Sequence, residues 1–202
     1  MATITLDQCT VWLDGIAKGV LVLDRDNEGM AAATLAFLAA TQPLQPDAAD
    51  LPSGNLTPHF TLAEMIASDT AAMAGLDNTP DSEEVDALTD TCEVLELIRD
   101  RCGGNPVMVS SGYRCPDLNA AVGGASNSAH LYGLAADITI PAFGSPLDIC
   151  RAIEPHLADF GIDQLIYEMT WVHIGLPIPP STTPRCQCLT INSGGTYNGI
   201  IA

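Results

Sequence analysis

Ser128-Ala-His-Leu-Tyr-Gly-Leu-Ala-Ala-Asp137 sets His130 and Asp137 seven residues apart, with Gly133 between them. A second imidazole, His173, follows 36 positions after Asp137 in Trp171-Val-His173. Two imidazoles and one carboxylate are a normal ligand set for a catalytic zinc with an open fourth position. Taken singly, these residues have plainer readings. His130 reads equally as a surface or hydrogen-bonded His, and Asp137 as a polar residue on the exposed face of an edge strand. Their arrangement shifts the balance. A Gly turn leads from His130 into a strand of β-formers, Ala135-Ala-Asp-Ile-Thr-Ile140, and His173 sits in another strand near an acid.

Gln164-Leu-Ile-Tyr-Glu168 and Trp171-Val-His-Ile-Gly175 are strand-like runs separated by Met169-Thr170, a spacing that suggests a hairpin. Met-Thr is not a favoured pair for such a turn. If Glu168 faces Trp171, then Ile166 lies opposite His173. Alternation then puts Glu168, Trp171 and His173 on one face. Diagonal neighbours across a hairpin lie about 7–8 Å apart, close enough for a water between two side-chain tips. An acid beside a catalytic zinc can take a proton from the attacking water and pass it to the leaving amine. Glu168 is the candidate for that role, with an exposed strand-end acid as its plain alternative. Trp171 would wall the site. Arg114 ends Ser110-Ser-Gly-Tyr-Arg114, in a stretch (residues 55–202) with five Arg and no Lys. It suits a substrate carboxylate or a developing oxyanion, and equally a salt bridge in an acidic protein.

The remaining pattern supports an α+β fold, a small antiparallel sheet with helices packed on it. Thr61-Leu-Ala-Glu64 and Ser145-Pro-Leu-Asp148 read as capping boxes, the first opening a helix towards Ser68. Thr79-Pro-Asp-Ser-Glu-Glu84 opens a longer helix with Pro80 near its first position and Gly103-Gly104 at its end. Val85, Leu88, Cys92, Leu95 and Ile98 form its inward stripe. A strand at 106–110, a short helix from Asp117 to Val122, a restart at Pro155 and a last strand from Cys186 to Ile191 complete the domain, taken as residues 55–202. Residues 1–54 read as an extension: two short helices, then a Pro-rich linker from about residue 43. It either packs on the domain or docks to another protein or to cell wall.

The net charge of −18, with one Lys and six Arg, leaves no basic face for nucleic acid and disfavours anionic membrane. No apolar run is long enough to span a bilayer. The start, Met-Ala-Thr-Ile-Thr-Leu-Asp, lacks the basic and apolar regions of a signal peptide, so synthesis in a bacterial cytoplasm without Sec-type export is expected. Seven Cys in no regular framework read as reduced thiols, mostly buried.

Ser110-Ser-Gly-Tyr-Arg114, Ser128-x-His-x-x-Gly-x-Ala-x-Asp137 and Glu168…Trp171-Val-His173 together resemble the zinc D-Ala-D-Ala carboxypeptidases and related peptidoglycan peptidases. Those enzymes share a hedgehog/DD-peptidase-like fold. The phage-encoded wall peptidases look most similar, including the lead-in His59-Phe-Thr-Leu-Ala-Glu64 and the Cys188-Leu-Thr strand. The resemblance covers about residues 57–201. It implies that His130, Asp137 and His173 hold Zn2+, that Arg114 steadies the substrate carbonyl and that Ser128 helps hold the peptide. Several relatives carry their acid three residues before the last His; that position here is Thr170, and Glu168 lies five before. The implied substrate is the peptidoglycan stem peptide, cut as a carboxypeptidase or endopeptidase in a phage setting. The enzyme would act free as an endolysin or on the virion, with residues 1–54 available to other virion proteins. A catalytically silent wall-binding or virion structural protein with the same fold is the alternative.

Overall fold

Alternation along two short strands decides how the sheet is used. In the computed structural model, which describes residues 54–201, β3 (Gln164–Tyr167) and β4 (Val172–Gly175) pair antiparallel. Leu165, Tyr167, Val172 and Ile174 point into the hydrophobic core. Gln164, Ile166, His173 and Gly175 point the other way and line an open cleft. One pair of strands thus supplies both core and site. The expected register holds: Ile166 pairs with His173, and the Glu168 N–H donates to the Trp171 carbonyl at 3.1 Å. The turn is unusual, as its sequence suggests. Met169 takes a left-handed φ of 60°, and the Thr170 N–H reaches back to the Glu168 carbonyl at 2.6 Å.

β1 (Met108–Ser111) and β2 (Ala135–Thr139) extend the sheet on one side. β5 (Gln187–Asn192) and β6 (Gly195–Asn198) extend it on the other, giving the order β1-β2-β4-β3-β5-β6. Two expectations need correction here. The sheet is mixed, because β5 runs parallel to β3. The connection through the Pro-rich loop carries the chain back to the start of β3 before β5 begins, so Gln187 pairs with Gln164. The strand over 186–191 is also not the last: Asn192 to Gly195 turns the chain into β6.

Helices cover the apolar face. α1 (Leu62–Met65) is capped by the Thr61 hydroxyl, which accepts from the Glu64 N–H. It stops at Ile66, short of the expected Ser68, and Ser68 caps a separate helix, α2 (Asp69–Ala74). α3 (Ser82–Arg101) begins two residues past Pro80, the expected first position. Its N-cap is Asp81, in a reciprocal capping box with Glu84, so Pro80 precedes the helix. A carboxylate that accepts two free N–H groups outweighs the preference for Pro at the first position. Leu88, Cys92, Leu95 and Ile98 are fully buried along α3, while Val85 is only half-buried. Each such Leu or Ile contributes about 1.5–3 kcal/mol. α4 (Pro116–Ala121) and α5 (Pro146–Ile153) follow; α5 has the expected capping box of Ser145 and Asp148, and a 3-10 turn holding Pro155 continues it. The six cysteines among the described residues are free thiols, and Cys92, Cys102 and Cys150 are buried. The two helices and most of the linker expected over 1–54 lie outside the described residues.

Gly133 locks the site onto α3. Its φ is 70°, and a Cβ there would stand 2.6 Å from the Glu84 carbonyl oxygen and 3.1 Å from Leu88 Cγ. The buried Thr91 hydroxyl donates to the Gly133 carbonyl at 2.8 Å. Left-handed strain and backbone overlap add for any larger residue, so Gly133→Ala is expected to lower the unfolding free energy by about 2–4 kcal/mol. Urea melts check this; a change below about 0.5 kcal/mol, the range of neutral surface substitutions, would show that α3 gives way easily.

Candidate metal centre

Three segments bring one donor each to a single point. His130 lies on a 3-10 turn, Ala129–Tyr132, that Gly133 ends in a left-handed cap. Asp137 is the middle residue of β2, and His173 stands directly beside it on β4. His130 Nε2 lies 3.2 Å from His173 Nδ1 and 3.3 Å from Asp137 Oδ1, and His173 Nδ1 lies 2.9 Å from Asp137 Oδ1. Zinc bonds of about 2.0–2.1 Å in tetrahedral geometry give ligand–ligand edges of about 3.3 Å. Two of the three edges already match, and the third is slightly short.

Proton bookkeeping supports the same reading. The His130 Nδ1–H donates to the Gly112 carbonyl at 2.6 Å, which fixes the tautomer and turns the Nε2 lone pair inward. Burial lowers the His130 pKa, against the raising effect of Asp137, so the ring is neutral and ligand-competent. Burial acts to raise Asp137, but hydrogen bonds and charge from His130 and His173 prevail and hold it well below the usual carboxylate range. If His173 Nδ1–H donates to Asp137, the His130 lone pair still faces the carboxylate oxygen 3.3 Å away with no proton between them. A cation resolves that opposition. All three residues are buried, yet they open onto a cleft of about 880 Å³.

The other four candidates line the same cleft. Arg114 donates through Nη2 to Asp137 Oδ2 and through Nε to the Ser111 hydroxyl at 2.7 Å. It therefore holds the outer carboxylate oxygen while Oδ1 faces the histidines. Ser128 caps the 3-10 turn through its backbone position, and its side chain makes no capping bond. Glu168 is half-buried, and Trp171 is partly exposed at the cleft edge. Burial and the Asp137 charge push the Glu168 carboxyl above its ordinary value, against the opposing pull of His173 and Arg114.

Sequence reasoning missed the supports. A Cβ at Gly112 would collide with the Met65 carbonyl oxygen, and that same oxygen accepts the Tyr113 N–H at 2.9 Å. The glycine of Ser-Gly-Tyr-Arg thus packs the turn on α1 and aims its own carbonyl at His130. Asn78 ties the turn further, donating to the Ile66 and Tyr113 carbonyls and accepting the Cys115 N–H. The glycine was a visible signal; Asn78 gave none.

Three inward donors with a free side towards a cleft suit a catalytic rather than a structural metal centre. The family model for peptidase M15 matches residues 58–175, more than half of the chain, and the chain belongs to that family. A stretch of 44 residues is 48% identical to the zinc D-Ala-D-Ala carboxypeptidase of Streptomyces albus G. That stretch is 22% of this chain and spans 17% of the relative's length. Among the described residues, no helix is long and apolar enough to cross a membrane.

Proposed function

We propose that this chain is a zinc-dependent peptidase that hydrolyses peptide bonds in bacterial peptidoglycan. The observation that carries it is the convergence of His130 Nε2, Asp137 Oδ1 and His173 Nδ1 at the floor of a cleft that Glu168 and Arg114 also line. Membership of the M15 peptidases and the short match to a D-Ala-D-Ala carboxypeptidase supply the substrate class. When bound, zinc polarises the scissile carbonyl and makes water acidic enough to attack near neutral pH.

The chain's own residues divide the remaining work. Glu168, on the same strand face as His173, takes the proton of the attacking water and delivers it to the leaving nitrogen. Arg114 orients Asp137 and offers its remaining N–H groups to the carbonyl oxygen as negative charge develops there. Ser128 contributes a free hydroxyl to the peptide backbone, and Trp171 closes one side of the cleft. The setting we favour is phage-encoded wall penetration or lysis, because the lead-in and the Cys188-Leu-Thr strand resemble those of phage wall peptidases. Residues 1–54 then serve as a docking extension.

The test is zinc content together with mass spectrometry of muropeptides after digestion of purified peptidoglycan. One equivalent of zinc and new stem-peptide ends are expected. Wall binding without turnover in the zinc-loaded protein would overturn the proposal in favour of a silent wall-binding protein.

A further inference from the structure

The cleft has a second cation, and it lies beyond the segment that the family match covers. Arg185 follows the Pro-rich loop and lines the cleft together with Asp163. Asp163 is buried, and Arg185 takes both its carboxylate oxygens. Arg185 Nε donates at 3.1 and 2.9 Å, Nη2 donates at 2.5 Å, and the Arg185 backbone N–H adds a bond at 2.7 Å. Such a two-oxygen grip fixes the plane of the guanidinium. The side chain nevertheless remains 61% exposed, and no protein partner of its Nη1 is found among the described residues. In a protein of net charge −18, a rigid guanidinium with a free edge over the active cleft stands out. Arg114 and Arg185 are the only Lys or Arg residues lining that cleft among the described residues, and Arg114 stands at the metal centre, on Asp137.

Its position along the sheet sets what it can reach. Asp163 precedes β3, and its N–H bonds the Gly175 carbonyl at the far end of β4. Ile166, three residues on, is the partner of His173. Three strand residues cover about 10 Å. Glu168 and Trp171 lie at the opposite, hairpin end. An extended peptide advances about 3.3–3.6 Å per residue, so the backbone anchor of Arg185 at Asp163 lies about three peptide residues along the sheet from the strand partner of His173.

Resting on the peptidase reading above, we propose that Arg185, pinned by Asp163, is a specificity residue that binds a substrate carboxylate about three residues along the cleft from the cleaved bond. This favours cutting within an anionic peptide over removal of a single terminal residue, whose carboxylate would lie too close to the metal centre to reach Arg185.

The test uses the zinc-loaded full chain and synthetic D-amino-acid-containing stem peptides. Each peptide places a carboxylate one, two or three residues from the cleaved bond, as a free C-terminus or an N-terminal succinyl group. Each is paired with its neutral amide or acetyl counterpart. Wild type is expected to favour the charged member through KM by about tenfold at the three-residue spacing, the scale of one charge-assisted hydrogen bond. In Arg185→Gln that preference disappears, so the charged and neutral members of each pair have the same KM. A merely structural role for the Asp163–Arg185 pair would lower charged and neutral substrates alike. The charged-to-neutral ratio thus remains informative even if the variant is less stable, and Arg185→Lys should restore part of it. An unchanged ratio in Arg185→Gln, or a preference that peaks at the adjacent residue, overturns the assignment. Failure of the peptidase reading looks different: wild type then cleaves none of the peptides, and this assignment falls with it.

Discussion

His173→Ala is expected to lose stoichiometric zinc and to cut peptidoglycan about a thousandfold more slowly or worse, the scale of several kcal/mol of lost charge stabilisation. The nitrogen removed is one corner of the three-donor cluster, 2.9 Å from Asp137 Oδ1 and 3.2 Å from His130 Nε2. Two donors remain, and two do not hold a catalytic zinc. The fold should survive. His173 faces the cleft, while its neighbours Val172 and Ile174 are fully buried and anchor β4. Metal analysis, circular dichroism and a wall-clearing assay on one preparation separate these effects. Activity equal to wild type would refute the metal-centre reading outright. Ile174→Ala makes the reverse control: about 2–5 kcal/mol less stable, with the donors themselves untouched.

Glu168→Gln should lower kcat by about 10²–10⁴ while zinc content stays at one equivalent, because general acid–base work is worth that much. Gln keeps the shape and loses the proton acceptor. The sign of the pH effect follows from the same role. A base works only when deprotonated, so the rate falls as pH drops through its pKa. Burial and Asp137 set that pKa above the ordinary Glu value, so the acid limb should lie above that of an ordinary Glu and vanish in the Gln variant. If Glu168→Gln retained full kcat, another group would have to move the proton, and Thr170 three residues before His173 could not.

The site was more legible than the sheet that bears it. His130, Asp137 and His173 announced themselves by residue type and spacing, and strand alternation alone put Glu168 on their side. That inference depended on register, and the Ile166–His173 pairing supports it. The parallel placement of β5 was not legible. Parallel neighbours need a long connection and leave no local turn signal, and a Pro-rich loop says only that the chain changes direction. β6 was different, since Ser193-Gly-Gly195 is a turn signal that went unused. Side-chain ties across long separations, such as Asp163 with Arg185 or Asn78 with the Ser-Gly-Tyr-Arg turn, have no periodicity to betray them. The Ser68 cap was hidden by its neighbour, because one helix through 62–68 and two short capped ones share almost the same pattern of apolar residues.

The three donors have a consequence for the life of the folded chain. They come from a 3-10 turn, β2 and β4, and the outer two are separated by 43 positions in sequence. An ion held among them closes that loop as a covalent staple would, and its binding energy becomes folding energy. At free zinc a thousandfold above its dissociation constant, the gain is about 4.1 kcal/mol. Heat resistance should therefore track zinc supply. Chelation is expected to lower the melting temperature by several degrees, and added zinc to restore it. A chain that meets its metal late, or loses it outside a cell, would be both silent and short-lived.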